Sequence, residues 1–108
     1  MNKYHNQKCY FGGVKFDSKK ESNRYSELLI LEKAGEIKNL ERQKRFLIIP
    51  KSKTERAAYY VADFVYQNKD GAEVIEDVKS YITKKNPAYI LKRKLIKNLY
   101  PDYNFIES

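Results

Sequence analysis

The sequence predicts an α+β sandwich, an N-terminal β-hairpin followed by helix, three strands, helix and strand (α-β-β-β-α-β). Three observations lead there. Two segments carry apolar residues at helical spacing behind good capping residues. Three others are rich in β-branched and aromatic residues. Asn68-Lys69-Asp70-Gly71 joins two of these as a hairpin. An antiparallel meander with helices at either end of its sequence buries its apolar surface by packing the helices on the sheet.

Each element has its own signature. Tyr10-Phe11 and Val14-x-Phe16 around Gly12-Gly13 read as a hairpin over residues 8–16. Asp17 or Ser18 caps a helix from Lys19 to Lys33, with Tyr25, Leu28, Leu29 and Leu31 as its apolar stripe and Gly35 as its stop. Gln43 to Ile49 reads as a strand closed by Pro50, and Tyr59 to Tyr66 as a second strand. Glu73 to Ile82 is the third. Asn86-Pro87 opens the second helix, with Asn as cap and Pro at the first position. Ala88, Leu91, Leu95 and Leu99 are its expected buried face. Pro101-Asp102 ends it, and Tyr103 to Ile106 forms a last strand. At 108 residues, without repeats or a linker, residues 1–108 read as one domain with one core.

Bulk properties narrow the function. Lys and Arg number 22 against 14 Asp and Glu, a net charge of +8. Such an excess on a small chain points to a polyanionic partner, DNA above all. Cys9 is the only cysteine, so no intramolecular disulfide forms, and a reducing cytoplasmic setting is expected. No run of 18 apolar residues offers a membrane span, and the N-terminus lacks a signal peptide's apolar stretch. The expectation is a soluble, cytoplasmic protein with no membrane partner.

The chemistry is carried by Asp63 and, fourteen residues on, Asp77-Val78-Lys79. Alternation places Ile75, Asp77 and Lys79 on one face of the third strand, and Glu76 and Val78 on the other. Asp63 shares its face with Val61 and Val65, an apolar setting that a carboxylate tolerates only with compensation. A metal ion or Lys79 supplies it. A plain Asp63–Lys79 cross-strand ion pair is the competing reading. Glu21 completes a capping-box pattern with Ser18, yet it also starts the stripe facing the sheet, so both roles stand open. Gln43, at the start of its strand, can serve a metal-bound water, DNA or the fold alone. His5 is the single histidine and lies in a polar segment, which disfavours a His-based nuclease.

A helix acid, a strand Asp and a strand acid-x-Lys in this order of elements resemble the PD-(D/E)xK nuclease superfamily. The string Lys15-Phe16-Asp17-Ser18-Lys19-Lys20-Glu21, with Arg24-Tyr25, Leu28, Gly35-Glu36-Ile37, Leu40, Gln43, Tyr60-Val61-Ala62-Asp63-Phe64 and Glu76-Asp77-Val78-Lys79, is more specific. It resembles the phage and prophage family DUF1064, regarded as nucleases of that superfamily, over Lys3 to Pro101. The resemblance implies a restriction-endonuclease-like core and a phage or prophage protein acting in a bacterial cytoplasm. It makes Asp63, Asp77 and the Val78 carbonyl ligands of Mg²⁺ or Mn²⁺, with Glu21 completing or orienting the metal site and Lys79 beside the attacking water. The proline of the superfamily motif is Ala62 here. A bulge in the third strand would exchange Glu76 and Asp77.

Binding has a separate signal. From Val78 to Pro101 there are seven basic residues and no acid. Lys84 and Lys85, leaving the third strand, and Lys92, Arg93 and Lys94 on the second helix are candidate phosphate contacts, while Lys97 reads as a solvated position. Ten tyrosines could stack on unpaired bases, but most sit at apolar positions where core is the default. The function expected is Mg²⁺- or Mn²⁺-dependent DNA endonuclease, with branched, flapped or junction DNA as a plausible substrate. Paired cuts would call for a homodimer joined through the hairpin aromatics. An inert nucleic-acid-binding module and a small basic protein-interaction scaffold are the alternatives.

Overall fold

The Ser18 side chain accepts the Glu21 backbone N–H, and this cap starts the first helix where the sequence places it. A computed structural model describes residues 9–11 (backbone), 14–16 and 18–108. The elements are β1 (Cys9–Phe11), β2 (Val14–Phe16), α1 (Lys19–Lys33), β3 (Ile37–Ile49), β4 (Ala58–Asn68), β5 (Glu73–Asp77), α2 (Tyr81–Lys84), α3 (Pro87–Leu99) and β6 (Asn104–Glu107). Asp17, the other cap candidate, and Gly12-Gly13 lie outside the described residues.

The architecture is α+β. β1 and β2 form an antiparallel hairpin, and a second sheet has the order β3-β4-β5-β6. β3, β4 and β5 make the expected meander, and β6 adds parallel to β5. Among the described residues no helix is long and apolar enough to cross a membrane.

Local chemistry accounts for most boundaries. Gly35 stands at φ 79, and the N–H groups of Glu36 and Gly35 return to the Leu31 and Glu32 carbonyls, a left-handed stop to α1. Between β4 and β5, Asn68 Oδ1 accepts the N–H groups of Asp70 and Ala72, and Gly71 takes φ 87. Asn86 Oδ1 caps α3 by accepting from Ala88 and Tyr89, with Pro87 at the first position.

Three expectations are corrected. β3 begins at Ile37, six residues before Gln43, because a bulge between Lys38 and Glu41 lets the strand run on through polar residues. β5 ends at Asp77 rather than Ile82. Ser80 caps the short helix α2 instead, so Lys79 lies in the connection and not on the strand. The buried face of α3 is Tyr89 and Ile96 with Leu95, whereas Ala88, Leu91 and Leu99 are exposed, Leu91 by 60%. Tyr89 and Ile96 lie seven residues apart, two turns on one side, and Leu95 borders them.

The sheet has a core on each side. Phe46, Ile48, Tyr60, Ala62, Val65 and Ile75 pack with Tyr89 and Ile96 of α3. Phe16, Ile37, Phe64, Tyr66 and Val74 pack with Leu28 of α1. Leu29 is not in that cluster and instead borders the exposed Ile30 on the outer side of α1. Strict alternation would place Tyr60, Ala62, Phe64 and Tyr66 on one side. They divide between the two cores, so the pleat of β4 reverses at Asp63. The expected apolar face Val61–Asp63–Val65 is therefore not formed: Val61 is exposed and Val65 lies in the α3-side core.

Candidate metal and phosphate site

Asp63 sits where the pleat of β4 reverses. On one side the ladder runs Arg42↔Phe64 and Lys44↔Ala62, which sets Gln43 across from Asp63. On the other it closes at Phe64↔Glu76, and the next step sets Asp77 across from Asp63. Gln43, Asp63 and Asp77 thus form a row across three strands. Gln43 is left-handed at φ 53, as is Asn39 at φ 57 earlier in β3, a conformation uncommon for a residue with a side chain.

The carboxylates replace ladder bonds where β4 and β5 part. Asp77 Oδ1 accepts the Asp63 N–H at 2.9 Å, and Asp63 Oδ2 accepts the Val78 N–H at 2.9 Å. Lys79 returns from the connection to place Nζ 3.6 Å from Asp63 Oδ2. Its own carbonyl accepts from Lys20 Nζ on α1 at 3.1 Å. The Gln43 amide donates to Glu21 Oε1 at 3.2 Å and is 3.4 Å from Asp63 Oδ1. Arg42 stands 3.9 Å from Glu21 Oε1 while its guanidinium lies over the Phe16 ring. Glu21, Gln43, Asp63, Asp77 and Lys79, from α1, β3, β4, β5 and the β5–α2 connection, converge where β5 ends, across the middle of β3 and β4. Asp63 and Lys79 do form an ion pair, but not the expected cross-strand one, because Lys79 lies in the β5–α2 connection.

Asp77 is fully buried, and its Oδ2 has no hydrogen-bond partner among the described residues. Burial pushes its carboxyl above the usual carboxylate range, and Lys79 and the Asp63 N–H pull it back only in part. A buried carboxylate oxygen without a partner calls for an explanation. Glu76 differs in kind. It faces α1, where Arg24 Nη2 donates at 3.0 Å, Tyr66 Oη at 2.6 Å and Ser108 Oγ at 2.8 Å. Burial raises its pKa, but these hydrogen bonds outweigh it and hold the carboxyl below its ordinary value. Asp77, not Glu76, thus turns toward Asp63.

A hard cation fits this donor set. Asp77 Oδ2 is an unpartnered oxygen, Asp63 is nearby, and neither His nor Cys is among the residues converging there. Among the described residues no group of three or more His, Cys, Asp or Glu stands at metal-holding spacing. Mg²⁺ does not require one, since it commonly uses one or two carboxylates together with waters and substrate phosphate.

An open groove of about 300 Å³ lies over these residues, lined by Glu21, Asp63 and Lys79 with Lys20, Ser80 and Thr83. Lys20 and Thr83 were not anticipated; Lys20, one position before Glu21, was the legible signal. Of the expected phosphate contacts, Lys92 lines a neighbouring groove with Lys79. Arg93 and Lys94 line another depression beside Phe105 and Glu107 of β6. Lys84 ends α2, and Lys85 packs over Tyr81, 4.2 Å from its ring centroid. Neither borders the site groove. The hairpin aromatics Tyr10 and Phe11 proposed for a dimer contact have side chains outside the described residues.

A family model described as a protein of unknown function, DUF1064, matches residues 1–107. Comparison with curated proteins and with solved structures gives no match.

Proposed function

The chain belongs to the DUF1064 family, and from that premise we propose that it is a Mg²⁺- or Mn²⁺-dependent deoxyribonuclease with a restriction-endonuclease-like core. One observation carries the reading: Lys79 Nζ stands 3.6 Å from Asp63 Oδ2, and Asp77, which accepts the Asp63 N–H, keeps a buried second oxygen with no hydrogen bond among the described residues. A structural ion pair accounts for the first feature and leaves the second without a cause. The element order supports the fold assignment, with a meander flanked by α1 and α3 and a parallel last strand.

Asp63 and Asp77, with the Val78 carbonyl, would hold the cation, and Glu21 would orient the site beside them. When bound, it polarises the scissile phosphate and lowers the pKa of a coordinated water. The chain's own groups do the rest. The Lys79 ammonium orients the attacking water and offsets charge growing on the phosphoryl oxygens. Gln43 holds Glu21 and Asp63 in register through its amide. Lys20, bonded to the Lys79 carbonyl, places a second cation at the groove mouth. Water attacks phosphorus and gives up a proton to solvent, the P–O bond to the leaving nucleotide breaks, and the leaving oxygen takes a proton from solvent.

The test is a panel of linear, single-stranded, flapped and four-way DNA incubated with Mn²⁺. Cleavage is expected to require the cation and to disappear in Asp77→Ala and Lys79→Ala, both still folded by circular dichroism. Undiminished cleavage by both purified variants overturns the assignment. An inert binding module is the second reading, favoured by the two backbone caps, Asp77 Oδ1 on the Asp63 N–H and Asp63 Oδ2 on the Val78 N–H, which also serve to end β5. It predicts DNA binding with no cleavage in any metal.

A further inference from the structure

We propose that the groove beside the site holds one unpaired base of a DNA strand next to the phosphate to be cut. This rests on the phosphodiesterase reading and specifies its substrate as single-stranded or splayed DNA.

The groove has a volume of about 280 Å³ and is lined by Tyr59, Val61, Lys79, Ala88, Tyr89 and Lys92, among others, with no acidic residue in its wall. It lies just below the roughly 300–1,000 Å³ of pockets that enclose drug-sized ligands, which suits one ring system. Tyr59 gives it open aromatic surface, the buried Tyr89 borders it from the core, Val61 and Ala88 form an apolar wall, and Lys79 and Lys92 bring positive charge. Aromatic surface framed by cations is the requirement for stacking a base while its phosphates are neutralised. Both rings are held in place before any ligand arrives. The Arg45 guanidinium lies 4.1 Å from the Tyr59 ring centroid, and the Tyr89 hydroxyl donates to Glu107 Oε2.

Position decides the occupant. Lys79 and Thr83 line both this groove and the site groove that contains Asp63. At its other end Tyr59 also lines a third depression, formed by the β3–β4 loop with Lys51, Lys53 and Arg56. The three therefore share residues in sequence and trace one course from the carboxylates past two tyrosines to a basic loop. Tyr59 is itself 38% exposed, an open position for an aromatic side chain. A paired base keeps its faces stacked within the duplex, so only an unpaired one can meet these rings.

The test measures binding of the full chain with Ca²⁺ in place of Mg²⁺, by anisotropy of a labelled oligothymidylate and of a blunt duplex of equal length. The single strand is expected to bind tighter by about tenfold or more, and Tyr59→Ala to weaken that binding by roughly 5- to 150-fold, the range for one base–aromatic stack. Tyr59→Phe should restore it. Lys92→Ala, at an exposed helix position, should weaken it without risk to the fold. A 2-aminopurine walked along the strand should be quenched at one position, and not in Tyr59→Ala. Equal affinity for strand and duplex overturns the proposal. So does a folded Tyr59→Ala that binds the strand fully, which would assign Tyr59, with the exposed Leu47 and Ile49, to a protein-docking face. Loss of strand preference with cleavage intact removes this inference alone. Strand preference without cleavage of any substrate removes the nuclease reading and leaves the base site standing.

Discussion

At the scale of single residues, Asp77 is where stability and the proposed chemistry pull apart. Its carboxyl is buried, one oxygen accepts the Asp63 N–H, and the other has no hydrogen bond among the described residues. A carboxylate whose pKa is raised in the folded state is least costly when protonated, so its penalty appears as pH rises through that raised value. Asp77→Asn keeps an oxygen for the Asp63 N–H and removes the buried charge. In metal-free buffer at neutral pH it should stabilise the protein by about 0.5–2 kcal/mol while abolishing cleavage. The gain should shrink on acidification and vanish below the ordinary aspartate pKa of about 3.9. Chemical denaturation of both proteins across that range checks it; a variant less stable than wild type at pH 7 contradicts it. Glu76, one residue earlier, shows how fine the distinction is. Both acids are fully buried, but Glu76 meets Arg24, Tyr66 and Ser108 on the α1 side. Alternation along the strand pointed to opposite faces for the two, and the unbroken β4–β5 register removes the bulge that would have exchanged them.

At the scale of elements, β3 carries the clearest local conflict. Gln43 takes φ 53 in the middle of a strand, opposite Asp63, with its amide between Glu21 and Asp63. A left-handed conformation costs a residue with a Cβ about 1–2 kcal/mol. Gln43→Gly and Gln43→Ala both lose the amide, so their difference isolates the backbone. The glycine variant should be the more stable of the two by about 1–2 kcal/mol, and both should cleave DNA more slowly than wild type. Equal melting temperatures for the two would remove the strain argument. Propensity and punctuation made the elements themselves legible: Ser18, Gly35, the Asn68–Gly71 turn and Asn86-Pro87 all act as their residue types suggest. The early start of β3 was hidden because Ile37 and Leu40 are isolated among polar residues and a bulge carries the strand across them. The rotation of α3 was hidden as well. Leucines at helical spacing marked Leu91 and Leu99 as core, but Tyr89, anchored by its hydroxyl to Glu107, turns the helix and leaves those two outside.

At the scale of the whole molecule, the net charge of +8 should govern DNA affinity through counterion release. Binding should fall linearly with the logarithm of salt concentration, and removing one phosphate-contacting lysine should lower the slope by about 1. Lys20→Ala and Lys92→Ala, at the two grooves, should show that decrease, while Arg93→Ala and Lys94→Ala, in the depression by β6, should not. Titrations at four salt concentrations decide between them. The sequence by itself picked out the acids and the lysine that the fold brings together, the order of the elements apart from α2, and the basic segment that follows. These depend on residue type and spacing, which are local. Only the tertiary structure decided that β5 stops at Asp77, that Lys79 folds back to Asp63, and that Lys92 parts company with Arg93 and Lys94. It also brought Tyr59 into line with the site. Those outcomes depend on where two strands separate and how a helix is rotated, and packing between distant segments sets both.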